Sequence, residues 1–192
     1  MKRLAVLLIM LLCAASVFAG AVSLQVGFSL MGINAGTTIA IKDNIKAGVN
    51  ASVAKVAGNQ DFGWIYAQAL LAVDTIRSES NDFDLRFGAS YLNIGGTETV
   101  TYYDEESNPT TETRDTYLKF AGITFGIQYT HWFGEKRSHG IFVGIDVPVG
   151  GYVSYVSYGN QEEHGPFVGP LTSMATLGVL LTSLRTGYCF QF

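Results

Sequence analysis

Residues 22–31, VSLQVGFSLM, alternate between apolar side chains and polar or small ones. The apolar members are Val22, Leu24, Val26, Phe28 and Leu30, and the members between them are Ser23, Gln25, Gly27 and Ser29. Successive side chains of a β-strand point to opposite faces of its sheet, so an alternation with period two predicts a strand with one apolar face. The stretch therefore predicts a β-strand and sets the pattern to look for elsewhere.

The same rhythm recurs along the chain, broken by short groups of turn-forming residues. It predicts eight strands, at 22–31, 36–42, 45–56, 62–77, 82–94, 116–133, 141–158 and 174–192. Asp43-Asn44 is a two-residue connection that suits a tight hairpin. No connection can hold the helical crossover that parallel strands need, so each strand is expected to run antiparallel to the next.

The second face of these strands decides between a soluble sheet and a membrane barrel. It carries mainly Gly, Ser, Thr, Asn and Gln, whereas the charged residues gather in the connections. In lipid, every backbone group needs a partner within the protein, so a sheet must close on itself and turn its apolar face outward. The sequence predicts an all-β fold, an eight-stranded antiparallel up-and-down transmembrane β-barrel. Aromatic residues near strand ends, among them Tyr66, Tyr129 and Trp132, are assigned to girdles at the membrane interfaces.

The N-terminus predicts export. Residues 1–19 have a basic start, an apolar stretch at 4–12 and Ala19 before the cut, the pattern of a cleaved secretory signal peptide. Residues 20–192 then form a single barrel domain. Cleavage removes Lys2 and Arg3 and leaves 10 basic and 16 acidic residues, a net charge near −6 (10 − 16), which argues against a nucleic-acid partner. It also leaves one cysteine, Cys189, so we expect no disulfide, and no Cys/His spacing indicates a metal or a cofactor.

At this point the chain resembles the small eight-stranded outer-membrane β-barrels of bacteria. The resemblance covers the whole mature chain and is architectural, and its one motif is the terminal strand, with Tyr188, Phe190 and Phe192 on one face. In that family the barrel assembly machinery reads such a strand as an assembly signal. The resemblance implies location in the bacterial outer membrane, after export through the periplasm, with the lipid bilayer and that machinery as partners.

Strand parity assigns a set of polar residues to the barrel interior. Asp84, Arg86, Asp146 and Arg185 are expected to pair there, with Gln128 and Asn50 in the same network, because buried charges must be paired to be tolerated. The same parity turns Gln25, Lys46, Gln68 and Asp74 inward. Since eight strands leave little free bore, we predict a plugged polar lumen in preference to a gated pore.

The stretch 95–115 is predicted to be a long external loop. It is polar and acidic, with Asp104, Glu105, Glu106, Glu112 and Asp115. We regard it as the candidate contact surface for an external partner, with a merely solvated loop as the alternative.

We do not expect an enzyme. His131, His139 and His164 are predicted to lie too far apart for a shared site, and no nucleophile motif is present. The predicted role is structural or in surface interaction through the external loops.

Two alternatives stay open. One is a small channel for hydrophobic molecules that opens laterally, motivated by Pro148, which removes a hydrogen-bond donor and predicts a bulge or a strand end near Val147. The other is a secreted soluble barrel that binds an apolar ligand, which requires Ile123, Phe125 and Ile127 to point inward. A further ambiguity concerns residues 171–184, which could also form a helix.

Overall fold

The fold is described by a computed structural model for residues 21–29, 32–56, 62–103, 108–134, 136–156, 163–168 and 183–192. In this part of the chain there are nine strands: β1 (Val22–Ser29), β2 (Gly32–Lys42), β3 (Ile45–Val56), β4 (Phe62–Arg77), β5 (Asn81–Tyr103), β6 (Pro109–Phe133), β7 (His139–Val156), β8 (Glu163–Val168) and β9 (Arg185–Gln191). The predicted signal peptide at 1–19 and most of the ambiguous segment, 171–182, lie outside the described residues.

Eight of these strands close a ring. β1 to β7 pair in chain order, each antiparallel to the next. β9 completes the ring by pairing with β7 on one side and with β1 on the other. The predicted all-β, up-and-down barrel of eight antiparallel strands is confirmed.

The two ends of the ring differ. One end, which we call the terminal rim, carries both described chain ends and the short turns β2–β3, β4–β5 and β6–β7. There the Phe192 amide donates to the Val22 carbonyl at 2.9 Å, and the Gln191 amide donates to the Ser138 carbonyl at 2.9 Å. The opposite end, the hairpin rim, is where β5 and β6 extend furthest.

The predicted loop at 95–115 is wrong for most of its length. β5 continues to Tyr103 and β6 starts at Pro109, and the two strands stay paired from Gly95–Tyr117 to Tyr103–Pro109. The sequence TETVT at 97–101 is rich in Thr and Val, which favour strands, although Glu98 and Val100 share a face and break the apolar alternation. The high content of acidic residues in this stretch favoured the prediction of a loop.

Two more strand predictions need correction at the hairpin rim. Glu163–Val168 was expected in a loop, but it forms β8 and pairs with Gly150–Tyr155 of β7. The last strand was expected from residue 174. Residues 174–182 lie outside the described part of the chain, and of the rest Ser183 and Leu184 are not in a strand, so β9 is described from Arg185. β8 lies outside the ring of eight.

Pro148 is accommodated by a bulge. Pro148 pairs with Thr124 and Gly150 pairs with Ile123, so Val149 is the extra residue on β7. The predicted bulge is confirmed, whereas the alternative of a strand end is wrong, because β7 runs on to Val156.

The two faces of the wall have opposite character. The outward face is apolar, and its exposed members include Val26, Phe28, Val49, Phe87 and Phe125. The inward face buries polar and charged side chains, including Gln68, Asp84, Arg86, Gln128, Asp146 and Arg185. A water-soluble sheet protein has the reverse arrangement, since its apolar face is buried and its charged face is wet.

Small apolar clusters lie within the polar interior. Tyr66, Leu92 and Phe120 pack together toward the hairpin rim, and Trp132, Phe142 and Cys189 pack near the terminal rim. Tyr66 and Trp132 are therefore interior residues, and their assignment to the outer girdles is wrong. Tyr129, which is exposed on the outer face, is placed as the girdle prediction requires.

Candidate functional site: the polar interior

The centre of the barrel is occupied by one carboxylate held between two guanidinium groups. Asp146 on β7 lies 3.1 Å from Arg185 Nη1 through Oδ2 and 3.5 Å from Arg86 Nε through Oδ1. Arg86 on β5, Asp146 on β7 and Arg185 on β9 each occupy an inward-facing position of their strand, so the three side chains meet inside the barrel. All three are buried, with at most 2% of each residue exposed. A charge this far from water is tolerable only when it is paired, so the three groups depend on one another.

Amide side chains extend this central cluster. Gln128 Oε1 accepts from Arg86 Nη1 at 2.5 Å and from Arg185 Nη2 at 3.3 Å. Gln68 Oε1 accepts from Arg86 Nη2 at 3.3 Å, while Gln68 Nε2 donates to Thr124 Oγ1 at 2.8 Å. The network thus crosses the lumen from β4 to β9 and takes up donors that would otherwise be buried without a partner.

A second charged cluster lies between the centre and the terminal rim. Lys46 Nζ is 2.5 Å from Asp74 Oδ1, 3.1 Å from Asp84 Oδ1 and 3.9 Å from Asp82 Oδ2. Arg137, from the β6–β7 turn, also pairs with Asp82, which accepts a hydrogen bond of 2.8 Å from Trp132 Nε1. The ammonium group of Lys46 therefore lies within 4 Å of three carboxylates, and the guanidinium group of Arg137 pairs with one of them, Asp82.

The interior charges balance across the two clusters. Four cations (Lys46, Arg86, Arg137, Arg185) face four carboxylates (Asp74, Asp82, Asp84, Asp146), so their formal sum is zero (4 − 4). Buried charges are tolerated when positive and negative groups are present in equal number, as they are here. These eight residues therefore have no net charge that would favour cations over anions in the lumen.

A third, uncharged group lies on β2 and β3. Asn34 Nδ2 donates to Asn50 Oδ1 at 2.7 Å and to Ser52 Oγ at 2.9 Å. Asn50 and Asn34 are both buried. This amide group lines the interior wall beside the central cluster, because Asn50 is the cross-strand partner of Gln68, which accepts a hydrogen bond from Arg86.

The interior is not solid throughout. A cavity of about 340 Å³ opens at the terminal rim. Its lining includes Gln25, Lys46, Asp74, Asp82, Asp84 and Trp132. Gln128, which belongs to the central cluster, also borders this cavity.

Of the residues singled out from the sequence for the lumen, the structure brings Arg86, Asp146, Arg185 and Gln128 into one cluster. Asp84 lies instead in the cluster around Lys46, and Asn50 belongs to the amide group. Sequence reasoning missed Asp82 and Arg137. Asp82 has the same parity as Asp84 and could have been found by extending the alternation of β5. Arg137 lies in the β6–β7 turn with a backbone φ of 50°, and the alternation of the strands does not predict where a turn residue points.

The terminal strand presents its aromatic residues outward. Tyr188, Phe190 and Phe192 are all exposed on the outer wall next to β1. Their rings continue a row across β6 and β7: His131 and Phe133 are 5.2 Å apart by centroids, Phe133 and His139 5.7 Å, and His139 stacks on Tyr188 at 6.0 Å. His131 and His139 thus share the terminal rim with Phe133 between them, while His164 is on β8.

The five acidic residues singled out from the sequence in 95–115 divide into two groups. Glu112 and Asp115 lie on β6, where Glu112 Oε2 is 2.7 Å from Arg114 Nη2 and Asp115 Oδ1 accepts from Thr97 Oγ1 at 2.8 Å. Asp104, Glu105 and Glu106 lie outside the described residues. The predicted contact surface is therefore a strand pair for at least most of its length.

Two negative findings apply to the described residues. No group of three or more His, Cys, Asp or Glu side chains there is arranged to hold a metal ion. No helix there has the length and apolar character needed to cross a bilayer.

Comparison with known proteins gives a likeness of fold. No family model and no curated protein sequence matches the chain. In structure it is similar to a major outer membrane protein from Thermus thermophilus, with a TM-score of 0.51, 11% identity, and coverage of 90% of this chain and 99% of that one. The match to Acinetobacter baumannii CarO2 has a TM-score of 0.41 and 8% identity over 91% and 99% of the two chains. The match to Acinetobacter baumannii CarO has a TM-score of 0.39 and 6% identity over 90% and 96%. The predicted resemblance to bacterial outer-membrane barrels is confirmed at the level of fold.

Proposed function

We propose that this protein is an integral β-barrel of the bacterial outer membrane, that ion pairs plug its polar lumen, and that it serves in structure or surface contact, not in catalysis. The observation that carries the proposal is the inverted polarity of a closed ring. Eight paired charges lie inside, while Phe28, Phe87 and Phe125 are exposed outside. Lipid is the solvent in which such a wall is favourable, because hydrocarbon meets the apolar face and ring closure leaves no open edge.

The height of the apolar wall supports a membrane location. On β4, outward apolar residues extend from Ile65 to Ile76, both exposed. Eleven steps of roughly 3.3 Å along a strand tilted by about 40° correspond to about 28 Å along the barrel axis. This agrees with the apolar band of roughly 25 Å that outer-membrane barrels present to lipid.

The contacts at the centre support a plugged lumen. Arg86, Asp146 and Arg185 meet at one level, and Gln68 and Gln128 fill the space between them. An eight-stranded barrel has an interior that side chains can fill, so this layer is expected to block ion flow. The cavity at the terminal rim is then a blind vestibule.

Neither alternative gains support. Pro148 does not part β6 from β7, since both strands remain paired on each side of the bulge, so the motive for a lateral conduit is weakened. A soluble apolar-ligand barrel requires Ile123, Phe125 and Ile127 to point inward, yet their exposures are 46%, 45% and 39%. That requirement is contradicted.

We place the barrel assembly machinery among the partners because Tyr188, Phe190 and Phe192 form one outward row on the strand that closes the ring. Such a row is accessible before β9 has paired with β1. An external partner is proposed for the β5–β6 hairpin, which extends furthest from the ring.

The test combines gel mobility with conductance. The mature protein, refolded in detergent, is run unboiled and boiled, and then reconstituted in planar bilayers. We expect a heat-dependent shift, because a closed barrel resists SDS until it is heated, and no discrete conductance steps. A protein that stays soluble without detergent would overturn the membrane barrel, and steady ion-conducting steps would overturn the plugged lumen.

A further inference from the structure

Lys119 is a positively charged residue on the outward face of the barrel wall. On β6 the even-numbered residues Thr124, Gly126 and Gln128 are buried, so the odd-numbered residues of this region point outward. From Lys119 toward the terminal rim, the next outward residues are uncharged: Ala121, Ile123, Phe125, Ile127 and Tyr129. Lys119 therefore marks the end of the apolar run of β6 on the side of the hairpin rim.

The strand register places Lys119 at the edge of the apolar band of the whole wall. Lys119 pairs with Asn93 on β5, and Asn93 pairs with Ile65 on β4. Ile65 is the exposed residue that ends the outward apolar band of β4 toward the hairpin rim. In the proposed membrane, Lys119 thus lies where the hydrocarbon of the external leaflet meets the lipid headgroups.

The ammonium group of Lys119 is directed toward that headgroup level. Lys119 Nζ lies 3.9 Å from the centroid of the Tyr117 ring, and Tyr117 is one outward position closer to the hairpin rim. Lysines at a membrane interface extend in this way, with the stem along apolar surface and the charge toward water. No carboxylate of the described residues forms a salt bridge with Lys119. Its counter-ion must therefore come from the surroundings.

Asn93 adds a second hydrogen-bonding group at the same level. Cross-strand neighbours have Cβ atoms about 4.5–5.5 Å apart, so the carboxamide of Asn93 lies beside the lysine. The Asn93 side chain is half-buried and has no hydrogen bond within the described part of the chain. An ammonium group next to a carboxamide NH₂ group offers several donors to one anion. Phosphate, with its several acceptor oxygens, fits this arrangement.

The wall next to Lys119 offers an apolar surface for the rest of a lipid. Ala121 is the next outward residue toward the midplane, and its cross-strand partner Tyr91 is 43% exposed. The small alanine beside the large ring leaves a depression in the wall, along which an acyl chain can lie. An inorganic phosphate ion would make no use of this surface, whereas a lipid would use both parts.

We infer that Lys119 and Asn93 bind the phosphate group of a lipid in the external leaflet, with an acyl chain of that lipid against Ala121 and Tyr91. This inference rests on the proposed function, because it concerns the lipids around the proposed membrane barrel.

The test measures lipid binding to the mature protein, refolded in an uncharged detergent, by native mass spectrometry. The probe is dipalmitoyl phosphatidic acid, and the control lipid is dipalmitoylglycerol, which has the same chains without the phosphate. We expect the first phosphatidic acid to bind about fivefold more tightly than dipalmitoylglycerol, the contribution of one lysine near an anionic lipid. Excess inorganic phosphate should not displace it.

Variants of the protein locate the site. Lys119→Met should weaken the binding of phosphatidic acid by about fivefold. Lys119→Arg should stay within about twofold of wild type, because a guanidinium group also binds phosphate. Asn93→Ala should lose about threefold through the missing hydrogen bond. The matched control is Lys136→Met, which removes a positive charge from an exposed turn at the opposite rim and should change the affinity by less than about twofold.

Several results would overturn the inference. Equal binding by wild type and Lys119→Met would place the lipid elsewhere, and an equal loss for Lys136→Met would mean attraction to overall charge. Equal binding of dipalmitoylglycerol would mean apolar contact alone, and displacement by inorganic phosphate would mean a site for the free anion.

Gel mobility separates this inference from the proposed function. Each sample is also run unboiled and boiled. A protein that shifts on heating but does not distinguish the two lipids contradicts this inference alone, whereas a protein that does not shift contradicts the proposed function as well. If Lys119→Met alone fails to shift, the comparison of Asn93→Ala with Lys136→Met decides.

Discussion

Arg185 Nη1 lies 3.1 Å from Asp146 Oδ2, and neither side chain has any exposed surface. The two residues face each other at the seam of the ring. Arg185 is the first residue of β9, and the β7–β9 ladder ends at the pair Gly144–Arg185. Asp146 is two residues further along β7, beyond that last pair. The ion pair therefore continues the connection between β7 and β9 at the point where their backbone pairing stops.

Removal of the central carboxylate should be costly. Asp146→Ala leaves Arg86 and Arg185 buried without their counter-ion, and we expect a loss of about 3–5 kcal/mol in the free energy of unfolding. Urea unfolding of the refolded protein, followed by the heat-dependent gel shift, measures this loss. The matched control is Asp115→Asn, at an exposed position of β6, which should change stability by less than about 1 kcal/mol. Equal effects of the two substitutions would contradict the importance of the central pair.

Lys46 should be coupled to the carboxylates around it. Lys46→Met leaves Asp74 and Asp84, which are cross-strand partners, facing each other without a cation. Since the lysine side chain is 21% exposed, we expect a loss of about 2–3 kcal/mol, below the full cost for a buried pair. Adding Asp84→Asn should restore about 1–2 kcal/mol, which a double-mutant cycle in urea measures. Lys42→Met, at the exposed rim, is the control, and strict additivity would refute the coupling.

Period-two alternation was enough to predict the barrel, because each strand's parity also states which side chains point inward. Arg86, Asp146 and Arg185 were placed in the interior by that rule alone. Parity does not say at what height along the axis a side chain lies. For this reason Asp84 was grouped with the central cluster, although it contacts Lys46 nearer the terminal rim.

The failures occurred where composition and pattern disagree. The β5–β6 hairpin beyond residue 95 has the Thr and Val residues of a strand and the acidity of a loop, and its backbone pairing shows that it is a strand pair. Tyr66 and Trp132 were assigned outward because aromatic residues favour interfaces, yet their parity, shared with Gln68 and Thr130, turns them inward. Arg137 reaches Asp82 from a turn, and turns carry no periodicity from which a direction could be inferred.

Gly126 should not tolerate a side chain. A Cβ atom there would overlap Asp146 Oδ1 and the Ile145 carbonyl oxygen. We expect Gly126→Ala to destabilise the barrel by about 1–3 kcal/mol, because the central carboxylate must move away from its guanidinium partners. Gly165→Ala is the control, since no atom of the described residues lies within 4 Å of a Cβ at that position. Urea midpoints of the two variants provide the comparison, and a Gly126→Ala variant as stable as the control would show that the interior can rearrange freely.

Phe192 should matter for assembly in cells more than for stability. It is 76% exposed, so Phe192→Ala removes few contacts from the folded barrel. If the assembly machinery reads the terminal strand, the variant should reach the outer membrane at least several-fold less efficiently, as measured by fractionation and the heat-dependent gel shift. Refolding of the same variant in detergent should match wild type. Phe133→Ala, an exposed aromatic residue at the same rim, is the control, and an equal loss for both variants would point to a general defect in the rim.

Substitutions on the outer wall separate lipid from water as the surrounding solvent. Phe125 is 45% exposed midway along the ring portion of β6, and Phe133 is 37% exposed at its end. In a bilayer, Phe125→Lys buries a cation near the midplane at a cost of about 2–4 kcal/mol, whereas Phe133→Lys lies near the interface and costs about 0–1 kcal/mol. Unfolding in liposomes measures both values. A soluble barrel would tolerate lysine equally at the two exposed positions, so a difference near zero would overturn the membrane assignment, and a large difference would fix the depth of the wall in the bilayer.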